Sequence, residues 1–168
     1  GFNSYPDNNV TSELRGAITG FLRRRYAINL DMDNQVMVLN GTREGLFNAV
    51  VALGQTGSKI LIPNPFYQVY TVAAMAIGAQ SVYLPARAES GFLPDLDALT
   101  PEELNQTSVF FLCSPSNPQG AVASEAYWSR LLTLAETYDF KIFADECYSE
   151  IYRAAPPPGA LQVAAQIG

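Results

Sequence analysis

Lys141-Ile142-Phe143-Ala144-Asp145-Glu146-Cys147-Tyr148 reads as a short buried strand that carries an acid to the rim of a sheet. Its apolar run is bounded by charge on both sides and is too short for a helix. Open α/β proteins bind their ligands beyond the carboxyl ends of such strands. Aspartate also caps helices readily, so Asp145 alone supports a structural cap as well as a site carboxylate. The segments around it decide between the two.

Working outward, the pattern alternates. A helix is expected over residues 11–25, with Leu14, Ile18, Phe21 and Leu22 at helical spacing and Glu13 in its first turn. Residues 36–39 read as a short apolar strand running into Asn40-Gly41-Thr42. The helix expected next, over 43–53, buries Leu46, Phe47, Val50 and Val51 and ends at Gly54 and Gly57. Strands are expected at 59–62, 81–84 and 108–112, and helices at 66–77 and 124–138. The last of these turns Trp128, Leu131, Leu132 and Ala135 inward. An acidic helical turn is expected near Pro101-Glu102-Glu103-Leu104. Pro156-Pro157-Pro158 would break any helix begun after Asp145. Continuous apolar strands alternating with helices define an α/β fold, a mostly parallel sheet with helices on both faces. No internal repeat is visible.

Composition narrows the function. At 168 residues, 48% hydrophobic and 15% charged, the chain is long enough for one domain with a real core. A net charge of -6 argues against a nucleic-acid surface. The one basic run, Arg23-Arg24-Arg25, reads as a solvated helix end that complements the helix dipole. With no histidine, His-based triads, His metal sites and imidazole shuttles are removed. Cys113 and Cys147, each ending an expected strand, read as reduced thiols of a cytoplasmic protein. No signal peptide or membrane span is visible. Gly1 at the start and an Ala-rich polar segment at the end read as part of something longer.

Four strand-end loops share one edge of such a sheet, and each carries unusual residues. Gly41 and Thr42 open a helix, so backbone N–H groups, a hydroxyl and the Arg43 guanidinium suit a phosphate. Tyr67 offers an aromatic face, Asn117 an amide and Tyr148 a phenol. Asp145 offers a negative charge that can keep a ring nitrogen protonated. Each residue has a plain structural reading as turn, cap or core aromatic, but their coincidence on one edge favours a site. The set suits a planar, phosphorylated heteroaromatic with a basic nitrogen, and pyridoxal phosphate fits that description.

Asn117-Pro118-Gln119-Gly120 and Ala144-Asp145-Glu146-Cys147-Tyr148 are preceded by Asn40-Gly41-Thr42-Arg43-Glu44-Gly45 and Asn64-Pro65-Phe66-Tyr67-Gln68-Val69-Tyr70. Together, in this order, they resemble the class I/II aminotransferases of fold type I. The resemblance implies an incomplete large domain of a pyridoxal-phosphate-dependent transferase. Residues 1–30 would be its N-terminal turn and helix, residues 31–168 its cofactor cradle, with the rest of that domain and a small domain lying outside the chain. It implies that Asp145 pairs with the ring nitrogen, that Asn117 and Tyr148 hydrogen-bond the ring oxygen, and that Tyr67 stacks on the ring. Gly41, Thr42 and Arg43 would hold the phosphate, with Asn117 also touching substrate. Tyr5 would reach the phosphate of a neighbouring subunit in a homodimer. The bonds Asn64-Pro65 and Asn117-Pro118 are expected to be cis.

A transaminase also needs a lysine to hold the cofactor and move a proton. The two lysines here, Lys59 and Lys141, begin strands at the end away from the site loops. The chain by itself is therefore expected to be inactive and poorly soluble, and the full-length protein active on an amino acid and a 2-oxo acid. Within the family, the wording is most similar to bacterial succinyldiaminopimelate aminotransferases of lysine biosynthesis. Aspartate, aromatic and alanine aminotransferases and pyridoxal-phosphate lyases share the same cradle. Two other classes stand beside it, a non-catalytic scaffold on the same fold and a nucleotide-binding α/β domain. Gly54-Gln55-Thr56-Gly57-Ser58-Lys59 resembles a P-loop but lacks its spacing and precedes a strand instead of a helix.

Overall fold

The computed structural model describes residues 11–168. Four strands, β1 (Lys59–Asn64), β2 (Gln80–Pro85), β3 (Thr107–Cys113) and β4 (Lys141–Asp145), form one sheet in the order β2-β1-β3-β4. Every pairing is parallel. Six α-helices accompany them among the described residues: α1 (Ser12–Tyr26), α2 (Thr42–Leu53), α3 (Gln68–Ala76), α4 (Pro101–Asn105), α5 (Glu125–Tyr138) and α6 (Ala160–Ile167). None is long and apolar enough to cross a membrane.

Side-chain alternation along the strands builds a core on each face. Leu61, Phe110 and Leu112 point to one face and pack with Trp128, Leu131 and Leu134 of α5 and with Ala160 and Val163 of α6. Ile60, Ile62, Val109 and Phe111 point to the other and meet Val50 of α2 and Val69, Tyr70, Ala73 and Ala74 of α3. Both faces being covered explains why β3 reads as an unbroken apolar run. Chain direction explains the layering. From β1 the chain steps outward to β2 through α3, then returns past β1 to β3 and continues to β4 through α5. Right-handed crossovers running in opposite directions place their helices on opposite faces.

Local signals set several boundaries. Thr11 caps α1 through a bond from the Leu14 N–H at 3.4 Å, and Ser124 caps α5 through the Tyr127 N–H at 3.1 Å. Thr100 and Glu103 form a reciprocal capping box around Pro101 at the start of α4. Asn64-Pro65 and Asn117-Pro118 are cis as expected, and Ser114-Pro115 is cis as well.

Four expectations are corrected. Residues 36–39 form no strand: among the described residues they have no sheet partner, which leaves Met37 82% and Leu39 46% exposed. Apolar content makes a strand only where a neighbouring ladder accepts its backbone groups. Val51, Leu14 and Phe21 are exposed, because α1 and α2 have narrower contact faces than their sequences suggest. Leu134 joins Trp128 and Leu131 in the fully buried stripe of α5, whereas Leu132 and Ala135, expected inward, pack against the same core only partly buried. No helix begins directly after Asp145. The chain turns through 147–150, and the Ala-rich end forms α6, seated by Ala160 and Val163.

Phe110, fully enclosed between sheet and α5, sets the scale of the core. In urea unfolding of the intact protein, F110A is expected to lose about 3–5 kcal/mol by transfer and cavity costs. T100A, which removes an exposed helix cap, is expected to lose only about 1 kcal/mol.

Candidate functional site

β1 and β3 are neighbours in the sheet, and the connections leaving their carboxyl ends diverge there, opening a crevice at the reversal of strand order. A cavity of about 620 Å³ occupies that position. Tyr67 reaches it from the loop after β1, Asn117 from the loop after β3, and Asp145 and Tyr148 from the end of β4. Thr42, the first residue of α2, closes one side.

Five of the expected site residues, Thr42, Tyr67, Asn117, Asp145 and Tyr148, therefore line one cavity. Gly41 and Arg43 line an adjoining depression with Phe47 and Val69. Arg43 is nonetheless tied to the main cavity. Its Nε donates to the Tyr67 hydroxyl at 2.6 Å, and its guanidinium lies 5.4 Å from the centre of that ring. Gly41 adopts φ 137°, a region favouring glycine, and α2 has no side-chain cap at this end. Its first N–H groups are thus free to meet an anion. Tyr5 lies outside the described residues.

The remaining geometry concerns donors and acceptors. Asn117 Nδ2 donates to the Tyr148 hydroxyl at 3.0 Å, which leaves the phenolic hydrogen of Tyr148 available to another acceptor. Ser114 and Ser116 brace the loop bearing Asn117 by accepting the N–H groups of Ala123 and Ala121 at 3.0 and 2.9 Å. The Ser114 N–H donates to the Asp145 carbonyl at 3.0 Å, joining that loop to β4. Lys59 and Lys141 begin β1 and β4, one strand length (roughly 13–17 Å) from this edge.

Three contributors were not legible as such in the sequence. Tyr70, almost fully buried, donates its phenol to Asp145 Oδ2 at 2.8 Å and stacks on Phe111 with ring centres 4.1 Å apart. Burial first, and the Asp145 charge second, hold its proton far above the usual phenol range. Its signal in sequence was its place one helical turn beyond Tyr67. Arg25, expected as a solvated helix end, is instead a clamp with its side chain only 11% exposed. It pairs with Glu150 at 2.7 Å and donates to the Pro157 carbonyl at 2.9 Å, gripping the loop that carries Tyr148. Glu146 accepts from the Ala160 N–H at 2.7 Å and the Tyr26 hydroxyl at 3.2 Å, so it joins α1 and α6 beneath the same loop. Desolvation raises its pKa above the ordinary carboxylate range, against those hydrogen bonds. Cys113 and Cys147 are free, and burial followed by the Asp145 charge pushes their thiols up to about 12 and about 11.

Comparison with known proteins matches residues 1–167 to the family model described as aminotransferase class I and II. The chain belongs to the class I and II aminotransferase family. That family depends on pyridoxal phosphate. The LL-diaminopimelate aminotransferase of Syntrophobacter fumaroxidans is 33% identical over 88% of this chain and 38% of its own length. The solved aminotransferase of Neisseria meningitidis is 38% identical, with a TM-score of 0.90 over 98% of this chain and 43% of its own. A Thermus thermophilus structure described as a probable N-succinyldiaminopimelate aminotransferase is 27% identical, with a TM-score of 0.83 over 88% and 40%. The chain thus spans about two-fifths of the length of these aminotransferases.

The donor set suits the family's cofactor. A carboxylate faces one end of the cavity, an amide–phenol pair and an aromatic ring line it, and an uncapped helix N-terminus borders it.

Glu146 generates a pH prediction. Its folded pKa is raised, so the folded chain holds that proton more tightly than the unfolded one. The resulting stability is complete below the ordinary glutamate range and is lost as pH rises through the raised value. Gln can accept from the Ala160 N–H through its oxygen and donate through its amide nitrogen to the Tyr26 hydroxyl oxygen, without titrating. Urea midpoints of wild type and E146Q, compared from about pH 4 to about pH 7, should diverge in favour of E146Q as pH rises.

Proposed function

We propose that this chain forms the pyridoxal-phosphate-binding face of an aminotransferase, and that the intact protein moves an amino group between an amino acid and a 2-oxo acid. The observation that carries this reading is the convergence of Asp145, the Asn117–Tyr148 pair and Tyr67 on one cavity. Pyridoxal phosphate, when bound, withdraws electrons from the substrate carbon that bears the amino group. Asp145 keeps the ring nitrogen cationic through charge proximity, while Tyr70 fixes the direction of its carboxylate. Asn117 orients Tyr148, whose own hydrogen would then be free to meet the ring oxygen of the bound cofactor. Tyr67 would cover a face of the ring. Gly41, Thr42 and Arg43 offer N–H, hydroxyl and guanidinium donors to the phosphate. The reading includes a homodimer in which Tyr5 of a second copy reaches the phosphate.

Neither Lys59 nor Lys141 stands near this edge, so the proton-moving lysine is not among the groups this chain offers. The 168 residues alone are accordingly inactive in amino transfer. For substrate, the relatives shift the expectation from the succinylated to the free diamine. Several curated relatives at 30–34% identity are named LL-diaminopimelate aminotransferases, whereas the succinylated substrate is named for a structure 27% identical. We favour LL-diaminopimelate, or an amino acid of its type, as amino donor.

The intact protein with pyridoxal phosphate should show near-visible absorption that shifts on adding LL-diaminopimelate, and shifts less with N-succinyl-LL-diaminopimelate or aspartate. D145N should lower kcat by at least about a hundredfold, the scale of losing a preorganised electrostatic partner. A protein that takes up no cofactor, or whose absorption ignores every amino donor, would refute the reading and favour a scaffold.

A further inference from the structure

Cys113, Cys147 and Asp145 bring one ligand atom each to within 4.8 Å of one another. Their meeting follows from the sheet. Cys113 ends β3 directly opposite Asp145, which ends β4, in the parallel register. Two residues later the chain bends back, with the Cys147 N–H donating to Asp145 Oδ1 at 3.4 Å, and this turns the second thiol toward the first. All three side chains border the same cavity, so the cluster opens to solvent on one side.

We propose that Cys113, Cys147 and Asp145 form a binding site for a soft divalent cation of the Zn²⁺ or Cd²⁺ type, on the floor of the cavity and sharing Asp145 with the cofactor ring. Two thiolates and a carboxylate make a donor set that selects thiophilic ions and disfavours Mg²⁺ and Ca²⁺. Tetrahedral zinc with Zn–S bonds of about 2.3 Å places its sulfur atoms roughly 3.8 Å apart. With all three ligand atoms already within 4.8 Å of one another, at most about 1 Å of movement brings the sulfurs to that spacing, which rotation of the exposed Cys147 can supply. Binding converts two thiols and one M²⁺ into an M(S-Cys)₂ unit and releases two protons to solvent, with no change of oxidation state. The fourth position faces the cavity and takes water. An ion there occupies the lone pairs of Asp145 that would meet a ring nitrogen, so cation and cofactor exclude one another. This exclusion rests on the reading of Asp145 given under the proposed function, whereas the cation site itself does not.

The test uses the intact protein, stripped of cofactor and kept reduced, with Cd²⁺ or Zn²⁺ alone as probe. One equivalent of Cd²⁺ should bind and produce ultraviolet thiolate-to-metal absorption. C113S and C147S should each weaken Zn²⁺ binding at least about tenfold, since even outer-shell partners act on that scale. The double variant should abolish the absorption, with circular dichroism verifying the fold. Preloading with pyridoxal phosphate should block the cation. No thiolate absorption at one equivalent, or Zn²⁺ affinity indifferent to the double variant, overturns the site. Simultaneous binding of cation and cofactor overturns the sharing of Asp145. Failure of the cofactor to bind at all strikes the proposed function and leaves the cadmium spectrum to judge the cation site.

Discussion

The adjacency of β1 and β3 is the constraint on which the rest depends. The chain leaves β1 in one direction across the sheet and leaves β3 in the other, so the connections above these strands part. Backbone cannot fill the gap between them, because no strand end lies there to continue it. The crevice is therefore a consequence of strand order, and Tyr67, Asn117, Asp145 and Tyr148 reach it from strand ends, Thr42 from the start of α2. The same order places α3 and α5 on opposite faces and gives the sheet its two cores.

Those cores and the cavity are mechanically joined. Tyr70 belongs to the packed face of α3, stacks on Phe111 of β3 and ends in a hydrogen bond to Asp145. The position of the site carboxylate is thereby referred to the interior of the protein, where close packing permits little adjustment. On the opposite side, Arg25 and Glu146 tie α1, α6 and the turn bearing Tyr148 into one unit. A buried carboxylate with a raised pKa is a costly way to make such a joint, and the hydrogen bonds it accepts offset part of that cost.

Much of this was legible. The four sheet strands, the parallel arrangement and five residues of the cavity followed from apolar runs punctuated by Gly, Pro and Asn, since these report local backbone preference and burial. Residues 36–39 show the limit. Their composition suits a strand, yet strandedness requires a partner, and none adjoins them among the described residues. Arg25 shows another: a basic residue in a last helical turn has a sufficient local reason to be there, which hides its grip on a loop 124–132 positions away. Val51 and Leu134 mark a third, because helical spacing identifies a face but not its width.

By itself the sequence determined the fold class, the direction of the strands and the chemical inventory of the candidate site: an acid, an amide, two phenols and a helix start without a side-chain cap. These depend on properties of short segments, which near neighbours decide. Tertiary structure alone decided that Gly41 and Arg43 stand beside the cavity, and that Tyr70, Arg25 and Glu146 hold it in place. Such facts depend on contacts between residues far apart in the chain. The register between β3 and β4, which brings Cys113 opposite Asp145, exists only once both strands have been packed from either side.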